Sequence, residues 1–140
     1  MKKIILDTNI FVSAILGPSG ASRIVLRDCL KEKFLPLMGE ALFREYEDLL
    51  QREHIFAGCV LDKDERNLLL DAFLSTCEWV TVYYRWRPNL RDEADNHLVE
   101  LAVAGGADYL VTHNIKDFIN PELHFPAVKI IDPVTFLKEI

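Results

Sequence analysis

The sequence predicts an α/β domain, a three-layer α/β/α sandwich whose centre is a parallel sheet of about five strands. Three observations predict it. Short β-rich runs alternate with stretches of helical periodicity along the chain. The runs are apolar throughout, the pattern of strands covered on both faces. No repeat, low-complexity segment or internal linker breaks the alternation, so residues 1–140 are expected to form a single domain.

The first β-branched run, residues 3–6, stops at Asp7. Residues 9–16 read as a helix broken by Gly17-Pro18-Ser19-Gly20, and 21–31 as a second helix carrying Ile24, Val25, Leu26 and Leu30. Residues 34–38 are a second strand despite Pro36. Gly39 then opens a helix over 40–52, with Leu42, Phe43, Tyr46, Leu49 and Leu50 on one face. Residues 54–61 form an irregular link. Asp62 followed by Glu65 is a capping-box start for a helix reaching about residue 76. Residues 79–83 are the third strand and 85–91 a polar loop. Asp92 caps a helix to residue 104 that stops at Gly105-Gly106. The fourth strand is 108–112, a short turn or helix covers 114–118, the fifth strand is 128–131, and Pro133 starts the last helix.

Composition narrows the function classes. Half the residues are hydrophobic, enough for a core without staples, and the formal net charge is −6. That sign argues against a broadly basic nucleic-acid binder, although affinity follows local Lys and Arg clusters rather than the sum. Cys29, Cys59 and Cys77 are far apart and odd in number, so reduced thiols are expected rather than a disulfide framework or a zinc site. Asp7 interrupts the amino-terminal apolar run too early for a secretory signal. No stretch approaches the roughly 18 apolar residues of a membrane span. A cytoplasmic protein with no membrane partner is the expectation.

Parallel sheets place their sites beyond the carboxyl ends of the strands, where strand order reverses. Asp7-Thr8-Asn9 follows the first strand, and Thr112-His113-Asn114 the fourth, with Asp117 three residues on. Glu45 lies beside the apolar face of the helix after the second strand. Asp92 and Asp95 begin the helix before the fourth. Carboxylates gathered at one sheet edge repel one another, and a hard cation such as Mg²⁺ or Mn²⁺ relieves the repulsion. Such an ion can lower the pKa of bound water and orient a phosphate, which is the equipment of phosphodiester hydrolysis. Plainer roles exist for each acid. Asp7 suits a helix cap, Glu45 a solvated helix margin, and the Asp92–Asp95 spacing the first turn of a helix. His113 suits a polar surface.

These residues resemble the PIN-domain family of ribonucleases, and within it the toxin components of prokaryotic toxin–antitoxin pairs. The matching segments are residues 4–14 (IILDTNIFVSA), Glu45-Tyr46, residues 91–97 (RDEADNH), and residues 106–114 (GADYLVTHN) with Lys116-Asp117-Phe118. The resemblance implies a PIN-like fold. It implies Mg²⁺- or Mn²⁺-dependent hydrolysis of single-stranded RNA, with Asp7, Glu45 and Asp95 as metal-binding, catalytic acids. The family's fourth acid commonly follows the threonine after the fourth strand. Here that place is Asn114, whose amide brings no charge. Asp117 is the carboxylate near enough in sequence to replace it, and one tightly held ion is expected. Thr8, Asn9, Ser13, Thr112 and Asn114 would support the acids. The resemblance also implies a homodimer and a small antitoxin that blocks the acidic groove.

Arg85, Arg87 and Arg91 are interleaved with Tyr83, Tyr84 and Trp86, a composition suited to a single strand of RNA or to a subunit contact. Two rival classes differ in what they need. A non-catalytic RNA- or protein-binding module on this fold is the class that Asn114 favours. A phosphatase-type domain would want a second acid next to Asp7, where Thr8 and Asn9 stand. Gly17-Pro18-Ser19-Gly20 lacks the Gly-Lys-Ser/Thr ending of a phosphate loop.

Overall fold

A computed structural model of the chain describes residues 1–17, 20–82, 96–118 and 127–140. Five strands, β1 (Lys3–Leu6), β2 (Leu35–Met38), β3 (Glu78–Trp79), β4 (Tyr109–Val111) and β5 (Lys129–Ile131), form one parallel sheet in the order β3-β2-β1-β4-β5. Six helices alternate with them: α1 (Thr8–Leu16), α2 (Ala21–Leu30), α3 (Glu40–Leu50), α4 (Lys63–Thr76), α5 (Asn96–Gly105) and α6 (Pro133–Glu139). Crossovers between parallel strands are right-handed, so the leftward path through β1, β2 and β3 and the return to β4 lay their helices on opposite faces. The contacts agree: α2 packs on α1, α4 and α6, while α5 lies on β2 and β4. The predicted three-layer sandwich is the observed architecture.

The core follows from the apolar strands. Ile4, Ile5, Leu110 and Val111 are wholly buried, and helix residues such as Phe11, Val25, Leu42 and Leu98 close over them. Phe11, Tyr46 and Phe73 bring α1, α3 and α4 together. The Phe11 ring lies 5.2 Å from Tyr46 in an edge-to-face contact and 5.6 Å from Phe73. Pro36 fits an interior strand because its missing N–H would face β3, and β3 pairs only with Leu37 and Met38. At α5, a Cβ on Gly105 would stand 2.7 Å from a Leu37 methyl, so the close approach of helix to strand needs glycine there. Gly106 (φ 67°) then ends the helix as the sequence predicts, one residue later than expected.

Several expected boundaries shift. The third strand is Glu78–Trp79 rather than 79–83, of which residue 83 lies outside the described residues. The α3 helix stops at Leu50 rather than 52, because Gln51 and Arg52 donate to Asp48 and Leu49 in tighter i→i+3 bonds. The link over 54–61 contains a 3₁₀ turn, Glu53–Phe56. The α4 start is the expected capping box, with Glu65 N donating to Asp62 Oδ1 (2.8 Å) and Asp62 N to Glu65 Oε1 (3.1 Å). Cys29, Cys59 and Cys77 are free thiols. Burial pushes Cys29 up and Cys77 up to about 12, so both are held protonated.

The α2 terminus is closed by a residue with no sequence signal. Glu32 N donates to Cys29 O (3.0 Å) and Lys33 N to Asp28 O (3.0 Å), a Schellman motif with Glu32 in the left-handed position at φ 60°. Glycine normally stands there because a Cβ is strained. Glu32→Gly is expected to stabilise the fold by about 0.5–1 kcal/mol, read as a higher urea midpoint at unchanged slope.

Candidate active site

Strand order reverses between β1 and β4, which run side by side with Leu6 opposite Val111. Their next residues, Asp7 and Thr112, therefore emerge together at the carboxyl edge of the sheet. Asp7 stands at the N-cap of α1, and its carbonyl accepts from Ile10 N (3.0 Å). Its carboxylate does not cap the helix. It turns instead to Thr112, whose Oγ1 donates to Oδ2 at 2.8 Å, and takes a longer contact of 3.3 Å from Asn9 Nδ2. Thr112 is wholly buried, and its hydroxyl oxygen accepts from Asn114 N (3.0 Å). The helix-cap role that would account for Asp7 in the sequence is thus filled by its backbone alone.

Glu45 reaches the same place from α3. Its neighbour Tyr46 donates its hydroxyl to Leu6 O (2.7 Å), pinning the helix to the last residue of β1. Glu45 Oε1 accepts from Thr8 Oγ1 at 2.7 Å, and that hydroxyl lies 3.4 Å from Asp7 Oδ1. Glu45 Oε2 meets His97 Nε2 at 2.8 Å. A continuous polar chain, Thr112–Asp7–Thr8–Glu45–His97, joins β4, α1, α3 and α5. Asp7 is only 4% exposed. Burial pushes its carboxyl up; the Thr112 hydrogen bond pulls it down and the Glu45 charge raises it again, with a net upward result. Burial also pushes Glu45 up, but hydrogen bonds from His97 and Thr8 and the charge of His97 outweigh it, and its carboxyl ends below the usual value.

The remaining predicted residues fall in four groups. Asn9 and Ser13 join the rim: Asn9 Oδ1 accepts from His113 N (3.3 Å), and Ser13 Oγ lies 3.0 Å from His113 Nε2, with Ser22 Oγ at 3.3 Å on the same nitrogen. Asn114 contributes its backbone N–H while its side chain is exposed. Asp117 sits in a 3₁₀ turn, Ile115–Phe118. Among the described residues no hydrogen bond or ion pair ties its carboxylate to Asp7 or Glu45. Asp92, Asp95, Arg85, Arg87 and Arg91, with Tyr83, Tyr84 and Trp86, lie outside the described residues. Two further residues matter. Tyr46 is apolar-face periodicity in the sequence and an anchor in the fold. His97 gives no sign of a partner 52 residues away.

The donor set suits a hard cation. Asp7 and Glu45 present carboxylate oxygens on either side of one hydroxyl, and the Glu45 charge burdens the buried Asp7. Among the described residues no three His, Cys, Asp or Glu side chains gather closely enough to hold a metal. The sequence's further candidate acids, Asp92 and Asp95, lie outside the described residues.

Tyr46→Phe would leave the buried Leu6 carbonyl without its partner at the root of this cluster. It is expected to cost about 1–3 kcal/mol in urea unfolding, the penalty of an unsatisfied buried acceptor.

The model of the PIN domain family matches residues 3–116. A solved structure, described as the crystal structure of VapBC2 from Rickettsia felis bound to a DNA fragment from their promoter, contains a similar chain at TM-score 0.61 and 22% identity, over 91% of this chain and 96% of that one. At that identity the likeness is one of fold. No curated protein matches the sequence.

Proposed function

The chain belongs to the PIN domain family, and on that ground we propose that it is a Mg²⁺- or Mn²⁺-dependent endoribonuclease that hydrolyses phosphodiester bonds of single-stranded RNA. PIN domains generally use divalent metal ions. The observation that carries the reading is the Asp7 carboxylate: it is buried at the strand-order switch, not used as a helix cap, and faces Glu45 across Thr8. Asp7, Glu45 and Asp95 would hold the ion. When bound, it would supply a water of lowered pKa and neutralise phosphate charge. Thr112 and Asn9 orient Asp7, and Thr8 and His97 each engage one oxygen of Glu45 and so fix its orientation. Ser13 and His113 form the adjoining rim, where an RNA phosphate could take hydrogen bonds. Arg85, Arg87 and Arg91 would pair with further phosphates.

The same reading makes the protein the toxin of a toxin–antitoxin pair, working in the cytoplasm as a single-domain protomer of a homodimer, with a small protein antitoxin as its partner. The fold likeness to a chain of the VapBC2 complex supports it. Among the described residues no single helix is long and apolar enough to cross a membrane. A non-catalytic RNA- or protein-binding module is the second reading. Asn114 favours it, standing where the family's fourth acid commonly falls, with Asp117 not joined to the cluster. Labelled single-stranded RNA incubated with Mg²⁺, with Mn²⁺ and with chelator separates the two. Metal-dependent cleavage that disappears in Asp7→Asn and Asp95→Asn supports the nuclease. No cleavage by folded protein across several RNAs supports the binding module.

A further inference from the structure

The turn after β4 is gripped from two helices. Asn9 and Ser13 stand one helical turn apart on α1, so both side chains reach residue 113. Asn9 Oδ1 accepts from the His113 backbone N–H at 3.3 Å, and Ser13 Oγ lies 3.0 Å from the ring's Nε2. Ser22, in the first turn of α2 and only 5% exposed, brings a second hydroxyl to the same nitrogen at 3.3 Å. A ring nitrogen carries one proton or one lone pair, so it completes one full bond at a time and the two hydroxyls share it.

The grip on His113 is transmitted to Asp7. Only an oxygen can accept from the His113 N–H, which fixes which way round the Asn9 amide stands. Its Nδ2 is thereby turned inward, 3.3 Å from Asp7 Oδ2 and 3.4 Å from Thr112 Oγ1. Thr112 donates to the same Asp7 oxygen at 2.8 Å. These Asn9 contacts are long, and they persist only while residue 113 stays in place. We propose that His113 is a positioning residue for Asp7: Ser13 and Ser22 clamp its ring, the clamped residue sets the Asn9 amide, and the amide aims Asp7 Oδ2. That Asp7 then holds a cation rests on the ribonuclease reading above; the brace does not.

NMR of the Asn9 side chain in chelator tests the brace away from any metal chemistry. In the wild-type protein the two Nδ2 protons should give well-separated resonances. In His113→Ala and in the double variant Ser13→Ala/Ser22→Ala, the separation should collapse toward that of a solvent-exposed asparagine. His113→Gln sets an amide nitrogen close to where Nε2 stands and should restore the separation, which distinguishes the brace from ring packing and from imidazolium charge. Mn²⁺ affinity, followed by electron paramagnetic resonance, then reads the effect on the acid. It is expected to weaken about 10-fold in His113→Ala and in the double serine variant, the low end of what outer groups of a metal site cost, and to stay near wild type in His113→Gln. Each single serine variant should lose about 2-fold, so the double loss exceeds their product, because either hydroxyl can hold the ring alone. Asn9 resonances unmoved by His113→Ala overturn the proposal. So does a double serine loss no larger than the product, or a His113→Gln that behaves like His113→Ala. Asn9 resonances that respond as expected in a protein that binds no Mn²⁺ uphold the brace and refute the cation reading instead.

Discussion

Asp7→Asn is expected to lower RNA cleavage by about 10³-fold or more, at the upper end of what removing one electrostatic group from an active site costs. The fold should not suffer. Asparagine has the same shape and can still accept the Thr112 hydroxyl that now reaches Oδ2 at 2.8 Å. Burial and the Glu45 charge raise the Asp7 carboxyl, which means the folded state disfavours its ionised form. For a raised acid, stability is fully present below the unfolded pKa and falls as pH rises through the folded value, so at neutral pH the charge opposes folding. Removing it should leave the melting temperature equal or higher. Activity lost together with a lowered Tm would point to damage and would remove this variant as support for a catalytic Asp7.

Phe11→Ala carries the largest expected cost to the fold, about 3–5 kcal/mol for a fully buried ring, out of the 5–15 kcal/mol typical of a domain. The ring touches Tyr46 and Phe73, so it joins α1, which opens on Asp7 and Thr8, to α3, which carries Glu45. Thr8 Oγ1 and Glu45 Oε1 meet only because those helices are held at this angle. Urea unfolding at constant slope gives the energy. Activity at low temperature should fall beyond the loss of folded protein. Phe11→Leu, which refills most of the volume, should recover both.

Much of the fold is legible because its signals are local. The β1 run ends at Asp7, Asp62 and Glu65 announce α4, and Pro133 opens α6. The features that escape are those decided elsewhere. Glu32 closes α2 in a position that usually advertises itself with glycine. Arg66 sits in the polar run that starts α4, yet it is 3% exposed, held by Glu53 and stacked over Phe56 at 4.5 Å, because the 3₁₀ turn before α4 folds back on it. The site divides the same way. Asp7 and Thr112 can be placed from strand ends and the switch rule. The bond from His97 to Glu45 depends on α3 and α5 meeting at the sheet edge, which no local pattern encodes.

The central claim is that the Asp7–Glu45 cluster binds a divalent cation, and Mn²⁺ titration followed by electron paramagnetic resonance tests it without any RNA. The account predicts saturable binding by the wild-type protein, competed by Mg²⁺, and weakened by at least about 10–100-fold in Asp7→Asn, the loss that even outer groups of a metal site produce. Mn²⁺ bound equally well by wild type and Asp7→Asn, or not bound by either, would contradict it.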